Sequence, residues 1–320
     1  MPHEDPDQPY LNDLEGVTFD PVFILGLHRS GTSILYKTLT ATDRFNPITA
    51  YHLIRYHELL SHHHAHTETQ AKDDLTALFH AQGLSDRGID RLELTADFPE
   101  EYGFLLGSRT LRMSLAPRNL PLFTTLGQKI QYTAQNHRPL LAKNPYDFPN
   151  FLYLKTAFPT ARFIFIHRHP LKTLSSTLKA WQLLIRTKNP YTKQLSHYYE
   201  QFSDNPLLHL PLRTIFLDTP ELGAILLTTI AAKASRYYLR HINELPANDY
   251  VSITYEQFCA QPQQTLDAIL DVLRQPKSDL DAARLVRPRD VPIDPTIQKL
   301  TPYIQRVMRP YYAALGYGTA

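Results

Sequence analysis

Short apolar runs recur along the chain and are separated by amphipathic stretches with a helical period. The strongest runs cover residues 22–25, 161–167 and 250–255, and each has the length of a buried strand. A weaker run, 139–142, leads directly into Lys143 and predicts a fourth strand. Strands that alternate with helices indicate an α/β fold with a parallel sheet, whose ligands bind at the carboxyl ends of the strands.

The segments between the strands are predicted to be mainly helical. Periodic apolar positions predict helices at 32–40, 119–137, 150–158, 171–184, 222–245 and 265–273. We also expect helix for most of 47–98, a loop or short turn at 99–108, and loops over the proline-containing segment 186–218. Without a recognisable linker or repeat, the pattern favours one domain, residues 1–320, with a helical insertion at about 45–137.

Composition and charge are those of an ordinary folded protein. The chain is 43% hydrophobic and 20% charged, and its net charge of +2 argues against a nucleic-acid partner. Its single cysteine, Cys259, excludes an internal disulfide and a cysteine-based zinc cluster. We expect a cytoplasmic protein without a membrane span, because the sequence has neither a signal-peptide pattern nor a sufficiently long apolar run.

The first apolar run leads into the most informative motif, Gly26-Leu27-His28-Arg29-Ser30-Gly31-Thr32-Ser33. A strand, a glycine-bounded loop and a helix in this order are typical of a phosphate-binding loop, in which backbone N–H groups hold an anion. The glycine spacing is that of a Walker A loop, but Thr32 stands where that motif has its lysine. The motif therefore predicts an anion site unlike the usual ATP site, the alternative being a simple helix cap.

A second polar group follows the strand at 161–167. Arg168 ends this strand, and Ser176 lies eight residues later on the next predicted helix. The pair could hold a second phosphate, or it could be a surface arginine beside a polar helix face. The presence of the first loop favours the phosphate site, because both motifs follow strands of the same parallel sheet.

Charged residues in two other places could take part in catalysis. Lys143 follows a short apolar strand, where an ammonium group could balance charge on a transferring group or could simply be solvated. Glu100 and Glu101 follow a proline, and paired acids there could supply a general base or form the acidic first turn of a helix.

These motifs, in this order, resemble the sulfotransferases that use 3′-phosphoadenosine-5′-phosphosulfate (PAPS), especially the bacterial branch close to protein-tyrosine sulfotransferases. The resemblance covers about residues 20–275 and includes Lys143-Asn144-Pro145 and Tyr255-Glu256-Gln257-Phe258. It implies a P-loop NTPase-like sheet flanked by helices and the transfer of a sulfuryl group from PAPS to a hydroxyl or amine. The acceptor would be a small molecule or a peptide, and no metal would be required.

The resemblance also implies how the donor is bound. The 5′-phosphosulfate would be bound by the loop residues Arg29, Ser30, Gly31, Thr32 and Ser33. Arg168 and Ser176 would bind the 3′-phosphate, and Tyr255 would approach the nucleotide. His28 and His169 replace residues that are usual in the family, and His169 in particular stands in place of an aspartate.

For catalysis, the resemblance implies that Lys143 stabilises the transferring group and that Glu101 deprotonates the acceptor, with Glu100 as the alternative base. Two other functions stay open: a P-loop kinase acting on a small molecule, and a nucleotide-binding protein without catalytic activity. The histidine-rich segment 62–66 could bind a metal, but a polar helix end is the simpler interpretation.

Overall fold

The computed structural model describes residues 5–84, 94–187, 189–287 and 292–318. Its strands are β1 (Pro21–Leu25), β2 (Asn46–Pro47), β3 (Leu140–Lys143), β4 (Arg162–His167) and β5 (Tyr250–Thr254). They form a five-stranded sheet in the order β2-β3-β1-β4-β5, and every pair is parallel. All residues of β1 and β3 are buried, which explains why central strands of a parallel sheet appear as continuous apolar runs.

The register of the sheet brings the functional motifs to one edge. Ile24 of β1 pairs with Lys143 of β3 and with Ile164 of β4, so the carboxyl ends of the three strands point the same way, and β4 continues to His167, two residues past the level of Leu25. The residues that follow their carboxyl ends therefore face one crevice, as expected for an open α/β sheet. This places the loop after β1 between Lys143 on one side and Arg168 on the other.

Helices cover both faces of the sheet. They are α1 (Thr32–Thr40), α2 (Ala50–Ile54), α3 (Leu59–His64), α4 (Glu68–Ala81), α5 (Gly103–Thr110), α6 (Leu120–Ala134), α7 (Phe151–Ala157), α8 (Pro170–Thr187), α9 (Pro190–Leu195), α10 (His197–Asp204), α11 (Pro206–Arg213), α12 (Pro220–His241), α13 (Tyr255–Ala260), α14 (Pro262–Val272), α15 (Ala282–Leu285), α16 (Pro295–Lys299) and α17 (Thr301–Ala314). Short 3₁₀-helices span Gln8–Leu14, Pro145–Asn150, Ile242–Glu244 and Ala247–Asp249, and a π-helical turn spans Thr214–Asp218.

Two hydrophobic cores result, because alternate residues of a strand point to opposite faces of the sheet. Ile24 and Ile164 belong to the smaller core, under α1 and α14. Phe23 and Phe165 belong to the larger core, which most of the other helices cover. The α/β class and the parallel sheet predicted from the apolar runs are thus confirmed.

Two predicted loops are helical in the structure. The segment 99–108 contains the start of α5, and the segment 186–218 contains α9, α10, α11 and the π-helical turn. The prolines that suggested loops, Pro190 and Pro206, occupy the first position of α9 and α11, where the missing N–H costs nothing. The pattern also missed β2, and part of the helical prediction for 47–98 falls outside the described residues.

Among the described helices, none is by itself both long and apolar enough to cross a membrane. The pair Pro206–Asp218 and Pro220–Glu244 reaches the required length and composition only when the two are counted together, across a bend of 99°.

Candidate functional site

The loop between β1 and α1 is shaped by its two glycines. Gly31 has a φ of +104° and precedes α1, and a Cβ atom there would lie 2.4 Å from Cδ2 of Tyr255. A Cβ atom at Gly26 would lie 2.4 Å from the carbonyl oxygen of Ile166 on β4. Both positions therefore need glycine, one for its backbone angle and both for the close approach of neighbouring elements.

This loop offers hydrogen-bond donors to an anion. The first N–H groups of α1 have no acceptor within the helix, and the helix dipole adds positive potential at this end. Ser30 is 1% exposed, and its hydroxyl has no hydrogen-bond partner among the described residues. A buried hydroxyl seldom stays unpaired in a folded protein, so this one fits a ligand oxygen held by the loop.

A buried lysine lies directly beside the loop. The Lys143 ammonium is fully buried, donates to the Ser33 hydroxyl over 3.1 Å, and lies 2.9 Å from Oε1 of Glu101. A buried ammonium is stable only when it is paired, so Glu101 is its counter-ion in this state. Three sequence motifs that are far apart along the chain thus meet in one polar group.

The two neighbouring glutamates have different surroundings. Glu100 is fully buried, and its carboxylate accepts hydrogen bonds from the Tyr191 hydroxyl (2.8 Å) and the Glu101 amide (2.8 Å). The Glu101 side chain is 12% exposed and faces Lys143. The structure therefore brings Glu101, rather than Glu100, into contact with the lysine and with solvent.

A second cationic group adjoins the other side of the loop. Nε of Arg29 donates to the Ser176 hydroxyl over 3.1 Å, and Nη1 of Arg168 donates to the Arg29 carbonyl over 3.2 Å. The Arg168 guanidinium lies 4.4 Å from the centre of the Tyr255 ring, in the range of a cation–π contact. The predicted 3′-phosphate residues thus contact the loop itself.

His28 is a site residue to which the sequence assigned no role beyond its departure from the family pattern. Its ring packs edge-to-face on Tyr146, with 4.5 Å between the ring centres. Burial lowers the pKa of His28, an effect that the nearby Glu101 carboxylate opposes and that Lys143 and Arg29 reinforce. These electrostatic neighbours show that the imidazole lies in the same polar group. No local pattern could have shown this, because its partners are distant in sequence.

Comparison with known proteins identifies the family. A sequence model described as the sulfotransferase family matches residues 21–210, which is more than half of the chain. The chain belongs to the sulfotransferase family. The matched region of the chain contains the loop, both glutamates, Lys143, Arg168 and Ser176, and ends before Tyr255.

Individual relatives agree with this assignment. The omega-hydroxy-beta-dihydromenaquinone-9 sulfotransferases Stf3 of Mycobacterium bovis and Mycobacterium tuberculosis are each 28% identical over 186 residues, or 52% of this chain and 46% of theirs. The chain therefore matches about half the length of these curated relatives.

Solved structures show that the fold is shared. Sulfotransferase STF9 from Mycobacterium avium has a TM-score of 0.67 at 16% identity, with coverage of 96% of this chain and 80% of its own. Sulfotransferase STF1 from Mycobacterium tuberculosis H37Rv has a TM-score of 0.62 at 15% identity, with coverage of 96% and 81%. The P-loop NTPase-like fold implied by the sequence motifs is confirmed.

A carboxylate lies next to His169, a residue that departs from the family pattern. The Glu256 carboxylate on α13 accepts from the His169 amide over 3.1 Å and from the Tyr317 hydroxyl over 2.8 Å. Burial lowers the pKa of His169, and the Glu256 carboxylate opposes this effect. Glu256 thus ties the C-terminal residues to the turn that carries Arg168.

The histidine-rich segment lies at the end of α3. His62 shares a hydrogen bond of 2.9 Å with the Tyr51 hydroxyl, and His64 pairs with Asp13 over 2.8 Å. Within the described parts of the chain, no three His, Cys, Asp or Glu side chains are arranged to hold a metal ion. The histidines have protein partners, as a polar helix end requires.

Proposed function

We propose that this chain is a PAPS-dependent sulfotransferase that transfers a sulfuryl group in line to a hydroxyl or amine of a small-molecule or peptide acceptor. The observation that supports this most directly is the position of Lys143, which contacts Ser33 of the anion loop and Glu101 at once. A cation and a carboxylate beside an anion loop are the groups that an acidic donor and a protic acceptor need.

The donor would be held at two places. Arg29, the Ser30 hydroxyl and the N–H groups that follow Gly31 suit the 5′-phosphosulfate, because they combine a guanidinium, a buried hydroxyl without a described partner, and a helix N-terminus. Arg168 and Ser176 suit the 3′-phosphate. Tyr255 contacts both the Gly31 turn and Arg168, so it lies where the nucleotide would pass between the two phosphate sites.

Catalysis would depend on positioning and charge. PAPS, when bound, supplies the sulfuryl group, and its nucleotide is the leaving group. Glu101 would accept the acceptor's O–H or N–H proton while the new bond to sulfur forms. Lys143 would neutralise the charge that develops on the oxygen between sulfur and the nucleotide as the old bond breaks. In this proposal Lys143, Arg29 and the loop N–H groups provide the positive charge, so no metal is required.

The acceptor would enter from the side of Glu101. We propose that residues 1–320 form one domain in which the helices of the insertion at about 45–137 shape this side. The Stf3 relatives are named for an omega-hydroxy acceptor, which supports a hydroxyl group as the nucleophile here.

The test has two parts. Thermal shift and titration calorimetry compare binding of 3′-phosphoadenosine 5′-phosphate (PAP) with binding of ATP and magnesium. Transfer of ³⁵S from labelled PAPS is then followed with 4-nitrophenol, a long-chain alcohol, a sugar and a tyrosine peptide as acceptors, with Arg29→Ala as the control.

We expect PAP to stabilise the protein, ATP with magnesium to have no effect, and transfer to depend on Arg29. Stabilisation by ATP and magnesium alone would favour the kinase. Binding of PAP without transfer to any acceptor, or to water, would favour a protein that binds the nucleotide without catalysis.

A further inference from the structure

A buried carboxylate lies just beyond the catalytic lysine. Asp147 is fully buried, and both of its carboxylate oxygens accept hydrogen bonds, with the Leu115 N–H shared between them. Oδ2 accepts from the Tyr102 hydroxyl (2.7 Å) and the Asn144 amide group (2.8 Å). Oδ1 accepts from the Leu115 backbone N–H (3.0 Å) and the Asn150 amide group (2.7 Å). Four donors thus converge on one side chain.

Two of these donors are direct neighbours of the candidate catalytic residues. Tyr102 follows Glu101, at the start of α5, and Asn144 follows Lys143, at the end of β3. The junction is tight, since a Cβ atom at Gly103 would lie 2.7 Å from Oδ1 of Asn144. Asp147 therefore links the segment that carries the carboxylate to the segment that carries the ammonium.

We propose that Asp147 is a positioning residue that fixes the distance between the Glu101 carboxylate and the Lys143 ammonium by holding Tyr102 and Asn144 on one oxygen. This inference rests on the proposed sulfotransferase function and adds a residue to it. Asp147 itself does not contact substrate. It acts through the two backbone segments on which the reacting groups stand.

The bonding pattern explains why this position requires a carboxylate. All four partners are donors, and only an ionised carboxylate offers acceptor sites to all of them. Burial raises the pKa of Asp147, and the hydrogen bonds from Tyr102, Asn150, Leu115 and Asn144 oppose this effect. An asparagine would place an NH₂ group against one pair of donors, so either the pair Tyr102 and Asn144 or the pair Leu115 and Asn150 would lose its hydrogen bonds, and the junction would loosen.

The experiment uses Asp147→Asn in the full chain. We expect kcat for sulfuryl transfer, with the best acceptor of the panel or with water, to fall by about 10- to 100-fold. Small misplacements of catalytic groups cause losses of this size. The Kd for PAP, measured by titration calorimetry, should change by less than about twofold, because Arg29 and Arg168 are not among the hydrogen-bond partners of Asp147. Tyr102→Phe removes a single hydrogen bond and should produce a smaller loss in the same direction.

Two further variants separate positioning from general stability. Asp7→Asn is a matched control, since Asp7 is equally buried but pairs with Lys129 away from the site. It should lower the melting temperature without lowering kcat of the folded protein. In a Glu101→Gln background, Asp147→Asn should cause little additional loss, because groups that act through one another are not additive.

The outcomes distinguish the two proposals. If the wild-type protein neither binds PAP nor transfers sulfate, the proposed function fails, and this inference fails with it. If the wild type is active, unchanged kcat in Asp147→Asn and Tyr102→Phe would overturn only the positioning role. So would a loss of equal size in the wild-type and Glu101→Gln backgrounds, because that would indicate an effect independent of Glu101.

Discussion

Replacement of Lys143 by methionine tests the centre of the site. The change removes the ammonium but keeps a side chain of similar length in a fully buried position. At 2.9 Å from Oε1 of Glu101, the direct attraction is about 6 kcal/mol for an effective dielectric constant of about 20. Removing the lysine also removes its own desolvation cost, while Glu101 at 12% exposure keeps some contact with water. We therefore expect the free energy of unfolding to fall by about 2–3 kcal/mol.

The effect on catalysis should be larger than this loss of stability suggests. Loss of one group that stabilises transition-state charge typically lowers kcat by about 10²- to 10³-fold. Urea unfolding followed by circular dichroism measures the free energy of unfolding. Transfer of ³⁵S from PAPS, at a temperature where the variant is folded, measures kcat. The double variant Lys143→Met/Glu101→Gln leaves no unpaired charge, so it should regain most of the stability without regaining activity.

Lys129 provides the matched control, because it is the other buried lysine that forms an ion pair in the described structure. It donates to Asp7 over 2.7 Å and to the Tyr56 carbonyl over 2.8 Å, and neither partner belongs to the anion loop. Lys129→Met should cost at least as much stability but leave kcat of the folded protein unchanged. The reasoning is refuted if Lys143→Met is as stable and as active as the wild type, or if the double variant is no more stable than Lys143→Met.

Three further predictions concern separate parts of the structure. Glu101→Gln should lower kcat by about 10²-fold or more, whereas Glu100→Gln should mainly lower the melting temperature. Equal losses of kcat in the two variants would contradict the assignment of Glu101 as the base. Gly31→Ala should weaken PAP binding by at least about tenfold in calorimetry, because the new Cβ atom would meet the Tyr255 ring and the left-handed backbone would add strain. Unchanged affinity would show that the loop tolerates a wider turn. Burial lowers the pKa of His167 to about 3, so between pH 6.5 and pH 3 the unfolded chain binds a proton that the folded chain does not, and stability falls as the pH falls. His167→Asn should make this fall shallower by up to about 1.4 kcal/mol per pH unit in urea unfolding. An unchanged slope would show that His167 is protonated in the folded state.

The main strands were predictable because the local sequence reflects their surroundings. β1 and β4 are buried on both faces, and only continuous apolar residues satisfy that requirement. The start of α1 was predictable for a similar reason, since the turn before it needs Gly31 whatever the rest of the chain does.

The start of α5 shows where local reasoning failed. Gly103 and Gly107 suggested a loop, but they lie within a helix that packs unusually close to its neighbours. A Cβ atom at Gly107 would lie 2.3 Å from Sδ of Met113, and one at Gly103 would contact Asn144. Glycine serves close packing here rather than a turn, and only the tertiary contacts distinguish the two uses. The missed helices α9 and α11 have the same cause, because proline at a first helical position and proline in a loop are indistinguishable in sequence.

The sequence by itself determined which kinds of groups the site contains, because a glycine-bounded turn after a buried strand and a lysine or arginine at a strand end are local features. Only the tertiary structure decided how these groups are paired. The sheet places β3 and β4 on either side of β1, so Lys143 reaches Ser33 across 110 residues and Arg29 reaches Ser176 across 147. The same packing turns Glu100 toward Tyr191 and Glu101 toward Lys143. Two adjacent glutamates thus have different surroundings, because different elements pack against each of them.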